Sequence, residues 1–190
     1  LSLRTLVSEG DEVLVPSPSY VSYGLGVRLA GGVPVPLNTS AEQEFKLTPE
    51  LIEAAVTDKT KAIILPYPNN PTGAIMTREE LLRISPLILK HDLMVISDEI
   101  YAELTYGNCG HYSVAAVEGM RERTVLINGF SKAFAMTGWR LGYACGPAPI
   151  IKIMTKIHQS AIMSAPTTSQ YAAITALKEC DGEIDRMRDE

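Results

Sequence analysis

The sequence contains little cysteine, three residues in 190, and none of them forms a CxxC pair. Cys109, Cys145 and Cys180 are an odd number and lie far apart, which argues against a disulfide framework and against a zinc site. Long apolar runs are also lacking: the longest, such as Ala62 to Leu65, have the length of a strand, whereas a membrane helix needs about 20 residues. We therefore expect reduced thiols, a cytoplasmic protein and no membrane partner.

Positive charge is scarce as well. The formal net charge is −5, and no block of five like charges occurs. A nucleic acid or an anionic bilayer would find no concentrated positive surface, so both are excluded as expected partners. The 46% of hydrophobic and 21% of charged residues are typical of a globular protein, and they exclude a disordered, collagen-like or coiled-coil chain.

An initiator methionine is missing too. Leu1, Leu3 and Leu6 have helical spacing, and Gly10 follows as a stop signal, so the sequence opens inside a helical pattern. Acidic residues stand where the apolar part of a signal peptide would continue. We expect a piece of a longer protein.

Short apolar runs alternate with helical patterns along the chain, which is typical of βαβ units. Most of the runs are apolar on consecutive positions, as a sheet covered on both faces requires. The pattern predicts a three-layer α/β fold with a mostly parallel sheet. The six predicted strands are Glu12–Val15, Val33–Leu37, Lys61–Pro66, Leu93–Asp98, Thr124–Asn128 and Leu141–Cys145.

Capping signals predict the helices between these strands. Thr48 precedes a first-turn proline, and Thr77 forms a capping box with Glu80 ahead of a helix that Pro86 should kink or restart at Ser85. Further helices are predicted over 148–163 and after Pro166. The polar end, CDGEIDRMRDE, is predicted to form no completed element.

Ligands of open α/β sheets collect outside the carboxyl ends of the strands, and four predicted strands run into unusual segments. The segments are PSPSY, PYPNNPTG, SDEIY and NGFSKAFAMTGWR. The second could be a simple turn. The third resembles the acidic strand end of P-loop ATPases, but no GxxxxGK[ST] precedes it.

The fourth segment contains GFSKA, which mimics the nucleophile elbow of α/β-hydrolases with Ser131 as nucleophile. That mechanism needs an acid and then a histidine downstream. No Asp or Glu lies between Ser131 and His158. A hydrolase is therefore disfavoured.

Residues from the strand-end segments could instead form one cofactor site together. Lys132, flanked by small and apolar residues, is expected to be desolvated, which would suit it to form a Schiff base with a carbonyl cofactor. Asp98 could pair with a pyridinium nitrogen and Tyr101 with a ring hydroxyl, and Arg140 offers a fork suited to a phosphate. These groups together describe pyridoxal 5'-phosphate.

The motifs YPNNPTG, SDEIYAELTYG and GFSKAFAMTGWRLGY occur here in the order and spacing of a known family. They resemble class I aminotransferases of fold type I, in the branch acting on aspartate and aromatic amino acids. The similarity covers essentially the whole chain, from GDEVLVPSPSYVSYG to PTTSQYAAITAL.

The resemblance implies a role for each matching residue. Lys132 would form the Schiff base and move the substrate proton, and Asp98 would hold the pyridine nitrogen protonated. Asn70 and Tyr101 would bind the ring 3-hydroxyl. The residues implied to stack on the ring or bind the phosphate are Tyr20, Ser131 and Arg140.

Some positions allow other interpretations. Arg140 could form a surface salt bridge, Tyr20 could be a core aromatic and Ser131 a helix cap. Many similar proteins have serine where this chain has Gly129, so a phosphate hydroxyl is expected to be absent there. The Asn70–Pro71 bond is a candidate cis peptide. Four further aromatic residues are expected to be core or interface residues, namely Tyr23, Tyr67, Trp139 and Tyr143. No catalytic role is expected for His91, His111 and His158.

The resemblance also implies what the chain would lack. Residues 1–190 would be part of the cofactor-binding large domain, without the N-terminal segment and without the C-terminal small domain that carries the substrate-binding arginine. The isolated chain is then expected to have little or no activity. The whole protein would be a ping-pong transaminase acting on an amino acid and a 2-oxo acid, as a homodimer with contacts near 160–168. Its substrate cannot be read from the sequence.

Two alternatives stay open. A β-lyase of the same fold would keep the cofactor and change the reaction. An aminotransferase-like sensor module of a transcription regulator would bind pyridoxal phosphate without catalysis, although no basic helix-turn-helix is visible.

Overall fold

The computed structural model describes residues 1–107 and 110–190. Its strands are β1 (Glu12–Ser17), β2 (Val33–Asn38), β3 (Thr60–Leu65), β4 (Met94–Asp98), β5 (Thr124–Gly129) and β6 (Gly142–Cys145). All six predicted strands are confirmed, with small differences at their ends. Cys145 and Cys180 are free thiols, whereas Cys109 lies outside the described residues.

The strands form one sheet in the order β2-β1-β3-β4-β5-β6. The first five are parallel, and β6 pairs antiparallel with β5, with Gly129 opposite Gly142. The prediction of a mostly parallel sheet is therefore confirmed.

Side chains of the central strands alternate between two apolar cores. On β3, Ile63 and Leu65 pack into one core and Ala62 and Ile64 into the other, and all four are almost completely buried. Since successive side chains of a strand point to opposite faces, both faces of this strand are covered. A continuous apolar run in the sequence thus becomes the middle layer of the fold.

The helices lie between and after these strands. Their bounds are α1 (Ser2–Leu6), α2 (Ser22–Leu29), α3 (Pro49–Ala55), α4 (Arg78–Lys90), α5 (Ala148–Ile162), α6 (Thr167–Glu179) and α7 (Asp181–Asp189). The predicted capping box of α4 is present: the Thr77 hydroxyl accepts from the Glu80 N–H at 3.3 Å, and the Glu80 carboxylate accepts from the Thr77 N–H at 2.8 Å.

Two expectations for the helices are wrong, namely the restart given as one alternative at Ser85 and the lack of a completed element in the polar C-terminal run. Helix α4 does not restart at Ser85 but runs through Pro86, and the Ser85 hydroxyl donates to the Leu81 carbonyl at 2.7 Å. The polar C-terminal run forms α7. There Arg186 pairs with Glu183 at 2.9 Å and with Glu190 at 2.6 Å, and pairs at these spacings stabilise a helix that lacks a broad apolar face.

None of the helices within the described residues is both long enough and apolar enough to cross a membrane.

Candidate active site

The sequence-predicted residues that follow β3, β4 and β5 share one edge of the sheet. The register places Leu65 beside Ser97, and Asp98 beside Ile127, so the three strands end side by side. Because the strands are parallel, the segments leaving their carboxyl ends start from the same edge. This edge is the candidate active site.

Asp98, the last residue of β4, is held by two donors. The Tyr23 hydroxyl donates to Oδ2 at 2.9 Å, and the Ile100 N–H donates to Oδ1 at 3.2 Å. Burial raises the pKa of Asp98, the two hydrogen bonds act in the opposite direction, and the charge of Glu99 adds to the increase. The site therefore contains a carboxylate that gains from a cationic or N–H partner.

An aromatic pair stands beside this carboxylate. The rings of Tyr20 and Tyr23 meet edge to face, with centroids 5.8 Å apart. Tyr20 is half exposed, at 49%, so it is not a core aromatic. Its exposed ring is available to a ligand, which is consistent with the predicted stacking role.

Lys132 lies next to Tyr101. The ammonium nitrogen is 5.6 Å from the centroid of the Tyr101 ring, within the range of a cation–π contact. Lys132 is nevertheless exposed, although Phe130 and Ala133 on either side are buried. The expected desolvation of this lysine is wrong for the chain described here, because only its neighbours enter the core.

Asn70 and Tyr101 line the same cavity, which has a volume of about 580 Å³. The Asn70–Pro71 bond is cis, as predicted. Asn69, which is buried, fixes the turn from inside: its Oδ1 accepts from the Thr72 hydroxyl at 3.2 Å. The turn thus leaves Asn70 exposed at the cavity while its neighbour is buried.

Ser131 and Arg140 belong to one compact loop after β5. The Thr137 hydroxyl donates to the Ser131 carbonyl at 2.8 Å, and Arg140 Nη1 donates to the Thr137 carbonyl at 2.7 Å. Arg140 is exposed, and within the described ranges no carboxylate forms a salt bridge with it, so the surface salt bridge is not found. No hydrogen bond between described residues joins this loop to Asp98.

Gly129, at the end of β5, pairs with Gly142 of β6. A Cβ at this position would lie 3.0 Å from the Gly142 Cα and 3.0 Å from the Leu141 carbonyl oxygen. Its N–H donates to Asn128 Oδ1 at 2.7 Å. The backbone itself thus explains why glycine rather than a serine occupies this position.

The donor set fits pyridoxal phosphate in its chemistry. The cofactor carries an aldehyde, a basic ring nitrogen, a ring hydroxyl and a phosphate. The chain offers an amine, a carboxylate, a phenol with an amide, and a guanidinium on segments from the same end of the sheet, which are the complementary groups.

The comparison with protein families tests the aminotransferase resemblance against the hydrolase alternative. The model of the family "Aminotransferase class I and II" matches residues 1–190. This chain belongs to that aminotransferase family. A family of enzymes is thereby assigned on the whole length of the chain, and the hydrolase alternative is excluded.

Individual members of the family agree with this assignment. The chain is 50% identical over 188 residues to the YugH protein of Bacillus subtilis (strain 168), covering 99% of this chain and 48% of that protein. It is 45% identical over 186 residues to the aspartate aminotransferase of Bacillus sp. (strain YM-2), covering 97% and 47%.

A solved structure gives the same result for the fold. The aromatic aminotransferase from Pyrococcus horikoshii OT3 matches with a TM-score of 0.97 and 46% identity, over 100% of this chain and 51% of that one. The aminotransferase chain described here thus spans about half the length of the relatives it matches.

Sequence reasoning missed two side chains at this aminotransferase site. Tyr23 was interpreted as a core or interface residue, yet its hydroxyl contacts Asp98. His111 was given no role, yet its Nε2 lies 2.7 Å from Glu99 Oε2. One signal was available: Glu99 directly follows Asp98 at the end of a buried strand, and an acidic side chain that is buried needs partners of its own.

Proposed function

We propose that the protein containing this chain catalyses the pyridoxal-phosphate-dependent transfer of an amino group between an L-amino acid and a 2-oxo acid. Enzymes of this family depend on that cofactor. The observation that carries the proposal is the placement of an amine after β5 and a carboxylate at the end of the adjacent β4, with Tyr101 against Lys132 at 5.6 Å.

When bound, the cofactor supplies an electron sink for the carbanion left after proton removal from the substrate Cα. Lys132 would hold the cofactor through its Nζ and move that proton. Asp98, oriented by Tyr23, would keep a proton on the ring nitrogen. Asn70 and Tyr101 would bind the ring hydroxyl, Tyr20 would cover the ring face, and Ser131 and Arg140 would bind the phosphate.

The assignment of Lys132 is tested with the full-length protein. Pyridoxal phosphate is added, the sample is reduced with borohydride, and the modified peptide is located by mass spectrometry. We expect the label on Lys132, and we expect Lys132→Ala to lose both the label and transaminase activity. Lys152→Ala, at an exposed lysine of α5, is the matched control and should keep both. A label on another lysine in the wild-type protein would refute the assignment.

Product analysis separates transfer from elimination. A transaminase converts a supplied 2-oxo acid into a new amino acid in equal amount to the keto acid formed. A β-lyase instead releases ammonia without an acceptor. Two of the relatives named above are an aspartate and an aromatic aminotransferase, so aspartate and the aromatic amino acids belong in the first substrate panel.

The activity of the isolated chain, the homodimer and the cellular location stay predictions. The low activity of the isolated 190 residues is tested by assaying them beside the full-length protein.

The homodimer is supported by the exposed apolar side chains of Ile162 and Met163, which are 62% and 81% exposed within the predicted contact stretch. Light scattering of the full-length protein tests it. A cytoplasmic location is tested by fractionation.

A further inference from the structure

Glu99 is a buried acid outside the set of residues assigned to the reaction. It follows Asp98 directly, and it is only 3% exposed. Acidic side chains are almost never buried to this extent without partners. We therefore expect the residues around Glu99 to compensate its charge. The contacts of Glu99 show which parts of the candidate site it connects.

The Glu99 carboxylate has three partners. Ser97 and Ser113 donate their hydroxyls to Oε1 at 2.9 and 2.7 Å, and His111 Nε2 lies 2.7 Å from Oε2. Burial alone would raise the pKa of Glu99, but these hydrogen bonds and the charge of His111 hold it below its usual value. The carboxylate is thus satisfied on both oxygens.

The Glu99 backbone joins two parts of the candidate site. Its N–H donates to the Ile127 carbonyl at 2.8 Å, which ties it to β5 and so to the strand that leads to Lys132. Its carbonyl accepts from the Ala102 N–H at 2.9 Å, which closes the turn that carries Tyr101. Together with Ser97, Ser113 and His111, five partners therefore meet at Glu99.

The geometry separates Glu99 from the ligand side. Side chains alternate along β4, so Ser97 lies on the face opposite to Asp98, and Glu99, directly after the strand, contacts Ser97 with its carboxylate at 2.9 Å. Asp98 contacts Tyr23 on its own face. Glu99 can then affect the site only indirectly, through the orientation of the Asp98 side chain and the position of the turn that carries Tyr101.

We propose that Glu99 is a positioning residue, whose buried carboxylate, clamped by His111 and Ser113, fixes Asp98 on one side and the Tyr101 turn on the other. This inference rests on the proposed function. It assigns to the His111–Glu99 pair the support of the site rather than contact with substrate or cofactor.

The test compares Glu99→Ala, Glu99→Gln and the control Glu103→Gln in the full-length protein. Glu103 is an exposed glutamate of the same segment. Three quantities are measured: the Kd for pyridoxal phosphate added to the cofactor-free protein, the circular dichroism of the bound cofactor's absorption band, and the Tm of the cofactor-free form.

We expect Glu99→Ala to raise the Kd about tenfold or more, the size of one hydrogen bond to a charged group, and to weaken the circular dichroism per bound cofactor. Glu99→Gln should restore most of both, because its amide can still accept from the serines and donate to His111. Glu103→Gln should match the wild type.

Where Glu99→Ala does not fold, His111→Ala decides, with an expected rise in Kd of about threefold or more. A folded Glu99→Ala or His111→Ala protein with a lower Tm but the wild-type Kd and circular dichroism would overturn the inference, since the pair would then be merely structural. If the wild-type protein itself takes up no pyridoxal phosphate, the proposed function fails first, and the inference fails with it.

Discussion

Tyr23 and Asp98 lie 75 residues apart in the sequence, and the Tyr23 hydroxyl donates a 2.9 Å hydrogen bond to Asp98 Oδ2. The contact joins α2 to the end of β4 across the candidate site. It also stabilises the charged form of the carboxylate against the effect of its burial. The hydrogen bond thereby orients Asp98 and favours its anionic form, which is the form that a protonated ring nitrogen requires.

Removing this donor tests its effect on the site. In Tyr23→Phe, the pKa of Asp98 should rise further, because a hydrogen bond that favours the charged form is lost. We expect the affinity of the full-length protein for pyridoxal phosphate to fall about tenfold, the size of one hydrogen bond to a charged group. Titration of the cofactor-free protein measures it. Tyr171→Phe, at a tyrosine of α6 that is 70% exposed, should have no effect.

The raised pKa of Asp98 also predicts a pH-dependent stability. The folded protein keeps a proton on this carboxyl at a pH where the unfolded chain has lost it, so the site destabilises the cofactor-free protein above the folded-state pKa. The destabilisation disappears as the pH falls below the ordinary aspartate value.

Asp98→Asn removes the buried charge and should therefore raise the Tm of the cofactor-free protein at mildly alkaline pH by about 2–4 °C per kcal/mol gained. The difference from the wild type should shrink as the pH falls into the ordinary aspartate range. Transaminase activity should be lost in the same variant. A Tm difference that stays constant with pH would show that Asp98 is not the group responsible.

Much of the fold could be predicted from local patterns. The run from Ala62 to Leu65 is apolar at every position, and only a strand covered on both faces buries all of it. The capping box at Thr77 and Glu80 needs only four consecutive residues, so the sequence contains the whole signal. The motifs then place Asp98 at the end of one strand and Lys132 directly after the strand beside it.

The contacts that orient these residues could not be predicted in the same way. Tyr23 reaches Asp98, and His111 reaches Glu99, only because the sheet brings distant segments together. Helix α7 was missed because its stability comes from side-chain pairs and from burying Ile184 rather than from a periodic apolar face. The exposure of Lys132 depends on how its neighbours pack, which composition does not reveal.

The close approach at Gly129 predicts that a larger residue at this position destabilises this chain. In Gly129→Ala, the new methyl group would meet backbone atoms of Gly142 and Leu141 at 3.0 Å, and backbone cannot move aside cheaply. We expect the free energy of unfolding to fall by about 1–3 kcal/mol, as in other overpacked sites. Gly138→Ala, where a Cβ meets nothing within 4 Å, is the control and should change it by about 0.5 kcal/mol or less. Chemical denaturation of both variants measures the difference.

Two variants of Tyr101 distinguish the function of its ring, which contacts Lys132, from the function of its hydroxyl. Tyr101→Phe keeps an aromatic face beside the lysine and removes the hydroxyl, whereas Tyr101→Ala removes both. If the ring positions the amine and the hydroxyl binds the cofactor, borohydride reduction should still label Lys132 in the phenylalanine variant at lower activity. The alanine variant should lose labelling as well. Equal labelling in both variants would mean that the ring does not position Lys132, and that the 5.6 Å contact is incidental to the site.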